Sequence, residues 1–225
     1  MPPFCLRHRA VGRAAVAWLL LAGTLAAQEG EESRERWQRV PDVFAALGVG
    51  PGAHVADIGA GGGFFTARLA RAVGSNGRVF AVDVDAAVIQ RLQQRAAREQ
   101  WANVEIIHSA PDDPRLPHAV LDGALIVNAY HEFAEEETML RGLARALKPG
   151  GRLVIIDQVP PPGRLRDGRS AQERAHELGS WFVVRDLLVA DFRIVRLEDP
   201  FIVTEATDGE NDRWLLVAVR KPELR

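Results

Sequence analysis

A short stretch between a strand pattern and a helix pattern carries the strongest chemical signal of the chain. Residues 55–58 form an apolar run typical of a strand covered on both faces, interrupted by Asp57. Four glycines follow, and without Cβ atoms they let a ligand approach the backbone. They are Gly59, Gly61, Gly62 and Gly63. Because a helix pattern begins at Phe64, we expect backbone N–H groups there to be free for the polar edge of a ligand. A plain tight turn is the alternative.

A second acidic signal follows the next strand pattern. The run Arg78-Val-Phe-Ala-Val-Asp83 ends in a carboxylate 20 residues beyond Gly63. A carboxylate at that distance can accept hydrogen bonds from both hydroxyls of a ribose. Asp83 and Asp85 both precede a helix pattern at 86–100, so either acid could instead cap that helix. We assign Asp83 to the ribose and Asp85 to the cap.

Strand and helix patterns alternate along the rest of the chain. Helical patterns separate three further strand patterns, at 103–108, 121–128 and 151–157. A helix pattern then precedes two last strand patterns joined through a polar turn, which is typical of a hairpin. These elements are the helix 181–188, the strands 191–197 and 213–219, and the turn 207–212. The alternation predicts an α/β fold with a doubly wound, mostly parallel sheet, whose cofactor residues meet at the carboxyl ends of the strands.

Four features in this order resemble the class I S-adenosylmethionine-dependent methyltransferases, in particular their type 11/25-like domain. They are Asp57-x-Gly-x-Gly-x-Gly63, the acid Asp83, the run Leu121 to Asn128, and Leu147-Lys-Pro-Gly-Gly151 before a strand. The resemblance covers Pro41 to Asp157. It implies a Rossmann-like, seven-stranded sheet with a C-terminal antiparallel hairpin, and the cofactor S-adenosyl-L-methionine.

The resemblance also implies which residues hold this cofactor. The glycine turn wraps the methionine part, Asp83 binds the ribose, and Asn128 contacts the methionine end, through its backbone carbonyl in one arrangement. The full set is Asp57, Gly59, Ala60, Gly61, Gly63, Asp83, Val84, Asp112 and Asn128. In one respect the sequence departs from the family. The position of the acid expected beside the adenine amino group is occupied by Ala110, so we expect Asp112 or Asp113 to take that role from a shifted loop.

Methyl transfer from a sulfonium needs an aligned acceptor and, where the acceptor is protonated, a base. His131 is the candidate base because imidazole titrates near neutral pH, and Glu132 is its candidate orienting group. Tyr130 is an alternative, as an aromatic wall for the sulfonium. In the competing interpretation, His131 and Glu132 simply open the helix 134–147, whose positive end favours acids.

Histidine spacing and one proline-rich loop bear on two further questions, a metal site and a lid. No second histidine stands at ligand spacing from His131, and we interpret His118 and His176 as surface or loop residues, so the sequence predicts no metal site. The Pro160-Pro-Pro-Gly163 loop with Arg164, Arg166 and Arg169 is either a lid over the active edge or a stiff connector.

The first residues have a different character. Three arginines precede an apolar run of about 14 residues, Ala14 to Ala27, that ends in small residues before a polar segment. This pattern predicts a secretory signal peptide at 1–27, cleaved after Ala26 or Ala27, followed by a polar lead-in at 28–40 and a methyltransferase domain at 41–225. The alternatives are an uncleaved membrane anchor, or a cytoplasmic protein whose start is misassigned.

Charge and composition narrow the partners. The chain has 225 residues, 47% of them hydrophobic, which is enough for one compact core. Without the three arginines of residues 1–27 its formal charge of −2 becomes −5, and this disfavours nucleic acid as a partner. The single cysteine is Cys5, so the remainder can form no internal disulfide. We expect a small-molecule acceptor and a periplasmic or extracellular location, although S-adenosylmethionine is a cytosolic metabolite.

Two other functions remain open at this stage. A NAD-dependent oxidoreductase would share the strand, turn and helix, but its fingerprint needs a third glycine where this chain has Phe64. An exported, non-catalytic binding module on a methyltransferase fold would explain the signal peptide, because fold does not determine function.

Overall fold

The computed structural model describes residues 30–204 and 212–222. The chain divides into two compact units, Met1–Val40 and Pro41–Arg225. In the first unit, residues 30–37 are helical and a turn follows at Gln38 and Arg39. The predicted signal peptide at 1–27 and most of the predicted turn 207–212 lie outside the described residues. Among the described helices, none combines the length and the apolar character needed to cross a membrane.

The second unit is built on one seven-stranded sheet, which confirms the predicted fold class. Its strands are β1 (His54–Ile58), β2 (Arg78–Asp83), β3 (Val104–His108), β4 (Leu121–Val127), β5 (Leu147–Gln158), β6 (Phe192–Ile202) and β7 (Arg213–Arg220). They lie in the order β3-β2-β1-β4-β5-β7-β6. The first five strands are parallel, whereas β7 runs antiparallel to both β5 and β6, so the predicted C-terminal hairpin is present.

Besides the helical residues 30–37, six α-helices of the described residues connect or precede these strands. They are α1 (Val40–Leu47), α2 (Phe64–Val73), α3 (Ala86–Glu99), α4 (Glu136–Ala146), α5 (Arg169–Arg174) and α6 (Ser180–Val189), with short 3-10 turns at Tyr130–Glu132 and Pro162–Arg164. Strand pleating sends successive side chains to opposite faces of the sheet. Phe80 and Val82 therefore join the large core that includes Leu140 of α4, while Ala81 packs with Leu92 of α3. The sheet is thus covered on both faces.

Two predicted boundaries near the site differ from the structure for local reasons, and farther away β6 runs to Ile202 rather than ending at 197. The helix expected at 134–147 starts only at Glu136, because Tyr130–Glu132 forms a separate 3-10 turn. Strand β5 begins at Leu147 rather than Gly151, since Leu147 already pairs with Leu121 before an irregularity in the register. Neither change moves the carboxyl ends of the strands, where the predicted site lies.

Candidate cofactor and acceptor site

The glycine turn joins β1 to α2 at the carboxyl edge of the sheet. Gly59, Gly61 and Gly63 have φ angles of +70°, +52° and +77°, a region that L-residues with a Cβ rarely adopt. A Cβ on Gly59 would lie 2.5 Å from the Cβ of Ala129, just after β4. A Cβ on Gly63 would lie 2.9 Å from side-chain atoms of both Leu92 and Trp101. Close packing of neighbouring segments therefore requires glycine at both positions.

The backbone of the glycine turn is hydrogen-bonded to the end of β2 and within itself. The N–H groups of Gly59 and Ala60 both donate to the Val82 carbonyl, and that of Gly63 donates to Ala60. The N–H of Gly61 donates to Oδ2 of Asp83 at 3.0 Å. These four groups are satisfied inside the protein, and they all precede the helix that begins at Phe64, so free N–H groups at the helix start stay a prediction. Apart from the buried Ala60 the turn consists of glycines, and it is fixed against the end of β2.

A matched pair of glycine substitutions tests this role of the turn. We expect Gly59→Ala to lower the free energy of unfolding by at least about 2 kcal/mol, since it combines a left-handed φ with a clash against Ala129. Gly62→Ala is the control, because a Cβ there meets nothing within 4 Å. Urea unfolding of both variants measures the difference. Equal stabilities would show that the turn tolerates a side chain at Gly59.

Asp57 lies beneath the turn rather than at its surface. Its side chain is buried, and Oδ2 accepts a hydrogen bond from Thr66 Oγ1 of α2 at 2.5 Å. This contact joins the end of β1 to the first turn of the following helix. Asp57 thus supports the turn from beneath, and the cofactor contact implied by the resemblance stays a prediction.

Of the two acids after β2, Asp85 caps the next helix and Asp83 is hydrogen-bonded to the glycine turn. Asp85 is the N-cap of α3 and accepts from the N–H groups of Ala87 and Val88, as predicted. Asp83 ends β2, and its carboxylate accepts one N–H on each oxygen, from Gly61 and from Asp85. A carboxylate offers about four acceptor positions, so two remain for ribose hydroxyls. Beside it, the Val84 side chain is 53% exposed and presents an apolar surface at the same edge.

The loop after β3 carries Asp112 and Asp113, the two acids proposed to contact adenine, and they have different surroundings. Asp113 accepts the N–H of Arg115 through Oδ1, and its backbone pairs with Ala110 in a tight turn. Asp112 is exposed, and the loop begins at Ser109, whose N–H donates to the Asp83 carbonyl. Because Asp113 is used by the turn, Asp112 stays our prediction for the adenine side.

Asn128 occupies a special backbone position directly after β4. Its φ is +51°, a left-handed conformation that asparagine tolerates better than most residues. Its N–H donates to the Ile156 carbonyl, and its side-chain Oδ1 accepts from Arg213 Nε at 2.8 Å. With Oδ1 so engaged, the predicted contact to the methionine end falls to the backbone carbonyl. Burial lowers the pKa of Arg213, a loss that the nearby charges of Asp157 and Asp212 partly offset.

His131 is held by a buried carboxylate that sequence reasoning missed. Nδ1 of His131 lies 2.8 Å from Oδ1 of Asp157, and the His131 backbone N–H donates to Oδ2 of the same residue. Asp157 is fully buried near the end of β5, next to β4 in the sheet. The orienting group is therefore Asp157 and not Glu132, whose carboxylate lies 3.7 Å from the other ring nitrogen. Burial alone would lower the pKa of His131, but the hydrogen bond and negative charge of Asp157 outweigh it and raise the pKa.

Tyr130 is not an aromatic wall for a ligand, contrary to one prediction. The side chain is fully buried, and its hydroxyl donates to Oδ2 of Asp186 on α6 at 3.0 Å. Arg169 of α5 donates to the same carboxylate. Burial, reinforced by the charge of Asp186, raises the pKa of Tyr130 far above its ordinary value. Tyr130 therefore anchors the segment after β5 onto the site.

His176 was predicted to be a surface or loop residue, and it is both. It follows α5 and has a φ of +57°. Its Nδ1 nevertheless lies 3.2 Å from Nε2 of His131, 45 residues away in the chain. The sequence showed no second histidine at ligand spacing from His131, but folding brings His176 beside it. The prediction that no metal site exists therefore loses its basis. The Pro160–Gly163 loop leads into this segment.

All these residues meet at one edge of the sheet. The glycine turn follows β1, Asp83 ends β2, Asn128 and His131 follow β4, and Asp157 lies at the end of β5. This edge fits S-adenosylmethionine: it has a turn of glycines whose one alanine, Ala60, is buried, an acid that can accept from a ribose, and an adjacent apolar side chain. It does not fit a dinucleotide, because the position of the third glycine is taken by the buried Phe64, over whose ring the Arg68 guanidinium stacks at 3.7 Å.

The sheet order, the antiparallel β7 and the glycine turn together define a class I methyltransferase fold. Residues 55–151 match a family model described as a methyltransferase domain. The chain is also 26% identical to a SAM dependent methyltransferase from Aquifex aeolicus, with a TM-score of 0.65 over 80% of this chain and 88% of that one.

Two curated relatives agree with this class. A demethylmenaquinone methyltransferase of Geobacillus sp. (strain WCH70) is 28% identical over 126 residues, which are 56% of this chain and 53% of the relative. An uncharacterized methyltransferase of Mycobacterium bovis (strain ATCC BAA-935 / AF2122/97) is 36% identical over 116 residues, 51% of this chain and 54% of the relative. The chain thus spans about half the length of the curated relatives it matches.

Proposed function

We propose that this domain transfers a methyl group from S-adenosylmethionine to a small-molecule acceptor. The observation that carries the proposal is the juxtaposition of two groups of residues at one sheet edge. Gly59 on the cofactor side packs directly against Ala129, which lies two residues before His131 on the acceptor side. A ligand on the glycine turn would therefore have its reactive end close to the His131–Asp157 pair.

In this proposal each residue has a defined task. Asp83 accepts the ribose hydroxyls, and the Asn128 carbonyl accepts from the methionine ammonium. The cofactor supplies a methyl group activated by a positively charged sulfur. His131 faces the acceptor: because Asp157 holds Nδ1 as a donor, Nε2 carries the lone pair that can accept a proton.

Alignment supplies most of the expected rate enhancement. Holding two reactants in the correct geometry lowers a barrier by about 7–11 kcal/mol, and a base adds about 10²- to 10⁴-fold. The rigid attachment of His131 supports such alignment, since both its backbone N–H and its ring are bonded to Asp157. The bonds of Tyr130 and Arg169 to Asp186 hold the neighbouring segment in place.

The experiment is transfer of a labelled methyl group from S-adenosylmethionine to a panel of small acceptors. Demethylmenaquinone belongs in the panel because one relative bears its name. We expect label in at least one acceptor together with formation of the demethylated cofactor, and loss of both in Asp83→Ala. Binding of the cofactor without turnover on any acceptor class would count against an enzymatic function.

We also propose that the protein is exported, on the basis of the pattern in residues 1–27. Determining the first residue of the protein isolated from its host tests this. A mature chain that begins at Ala27 or Gln28 is expected, and an intact Met1 on a cytosolic protein would contradict it.

A further inference from the structure

Three potential ligand atoms converge beside the proposed acceptor position. Nε2 of His131 lies 3.2 Å from Nδ1 of His176 and 3.7 Å from Oε1 of Glu132. The third side of the triangle, from His176 Nδ1 to Glu132 Oε1, measures 4.0 Å. Two imidazoles and a carboxylate are the ligand set of many zinc sites.

The triangle has the dimensions of a metal site. A point equidistant from atoms separated by 3.2, 3.7 and 4.0 Å lies about 2.1 Å from each, which is the usual distance from zinc to nitrogen or oxygen. No rearrangement of the backbone is needed to reach this distance. A hydrogen bond between the two histidines alone would require neither the carboxylate nor this spacing.

The surroundings of His131 resemble those of a ligating histidine. Such residues generally donate their second ring nitrogen to a carboxylate or carbonyl, which fixes the tautomer and raises the basicity of the ligand. Asp157 does this for Nδ1 of His131, leaving Nε2 with its lone pair directed toward His176. Glu132 and Asp157 provide two negative charges, against one positive charge from Arg213.

The site is closed on one side and open on the other. The side chain of His131 is 5% exposed, whereas those of Glu132 and His176 are 62% and 73% exposed. A cation held by three protein ligands here would keep at least one coordination position toward solvent. Three protein ligands and an open position are the arrangement of catalytic rather than structural zinc sites.

We propose that His131, Glu132 and His176 bind a divalent transition-metal cation of the zinc class, with Asp157 as the carboxylate that positions His131. The two imidazoles favour zinc or nickel, because magnesium and calcium prefer ligand sets made of oxygen atoms. With a cation bound, Nε2 of His131 would be a ligand and no longer a proton acceptor, and the open position would bind and polarise an oxygen atom of the acceptor instead. This last role rests on the proposed methyltransferase function, whereas cation binding itself does not.

Titration of the metal-free protein with Co²⁺, followed by visible absorption and by competition with Zn²⁺, tests the site. We expect one cation per chain and a spectrum typical of four or five ligands. His176→Ala and Glu132→Gln should each weaken binding at least tenfold, and both positions are exposed, so the fold should persist. His118→Ala is the matched control and should bind as the unaltered protein does.

Absence of saturable binding at one cation per chain would overturn the proposal. Binding that is unchanged in both His176→Ala and Glu132→Gln would also overturn it, because the cation would then be held elsewhere. Calorimetry with S-adenosylmethionine on the same samples separates the two proposals. Normal cofactor binding without a cation site refutes only the metal, and a cation site without cofactor binding refutes only the methyltransferase.

Discussion

Asp83→Ala is expected to weaken binding of S-adenosylmethionine by roughly a hundredfold while the protein stays folded. The carboxylate loses two hydrogen bonds to the ribose hydroxyls, and bonds to a charged group contribute about 1.5–3 kcal/mol each. A loss of about 3 kcal/mol corresponds to about two powers of ten in the dissociation constant. The bond from Gly61 to Asp83 also disappears, which loosens the glycine turn. Calorimetric titration of the purified variant measures the effect.

Two further variants separate these contributions. Asp83→Asn keeps an oxygen that can accept from Gly61 but removes the charge, so we expect an intermediate affinity. Asp85→Ala lies two residues away and removes only the cap of α3, at a cost of about 1 kcal/mol in the free energy of unfolding. Its cofactor affinity should be unchanged. An Asp83→Ala protein with unaltered affinity would refute the ribose role.

His131→Asn is expected to reduce the rate of methyl transfer by about 10²- to 10⁴-fold, the range of a missing general acid–base group. The amide nitrogen of asparagine can replace Nδ1 and keep the hydrogen bond to Asp157, but the shorter side chain has no atom at the position of Nε2. The substitution therefore removes the reacting nitrogen and leaves the buried carboxylate with a partner. Formation of the demethylated cofactor at saturating acceptor measures the rate.

Cofactor affinity is the internal control for this variant, since the proposed function has His131 face the acceptor and not the cofactor. We expect the dissociation constant of S-adenosylmethionine to change less than about threefold, a difference below 1 kcal/mol. His118→Ala should leave both rate and affinity unchanged. If His131→Asn turned over at the normal rate, neither a base nor a metal ligand could be assigned to this residue.

Most of the fold could be predicted because its elements are set by local patterns. The strand Arg78–Asp83 appears with the predicted bounds and the helix Phe64–Val73 with the predicted start, since each has a clear apolar period. The helix Arg169–Arg174 was missed because its six residues, largely charged, show no apolar period. Its place is determined by tertiary bonds, such as that from Arg169 to Asp186.

In the candidate site, too, the residues that could be predicted are those defined by a local pattern. The glycine turn and Asp83 could be found because their spacing along the chain is short and characteristic. Asp157 and His176 could not be linked to His131 in this way, as they lie 26 and 45 residues from it in the chain. One available signal was missed: Asp157 ends the strand next to β4, and acids at carboxyl ends of neighbouring parallel strands meet at one edge.

The most direct test of the central claim is calorimetric titration of the domain with S-adenosylmethionine, its demethylated product and NAD⁺. The account predicts saturable one-to-one binding of the first two, with Asp83 as the proposed ribose acceptor, and none of NAD⁺, because Phe64 stands where a dinucleotide fingerprint needs its third glycine. Binding of NAD⁺ in preference to S-adenosylmethionine, or of none of the three ligands, would contradict it.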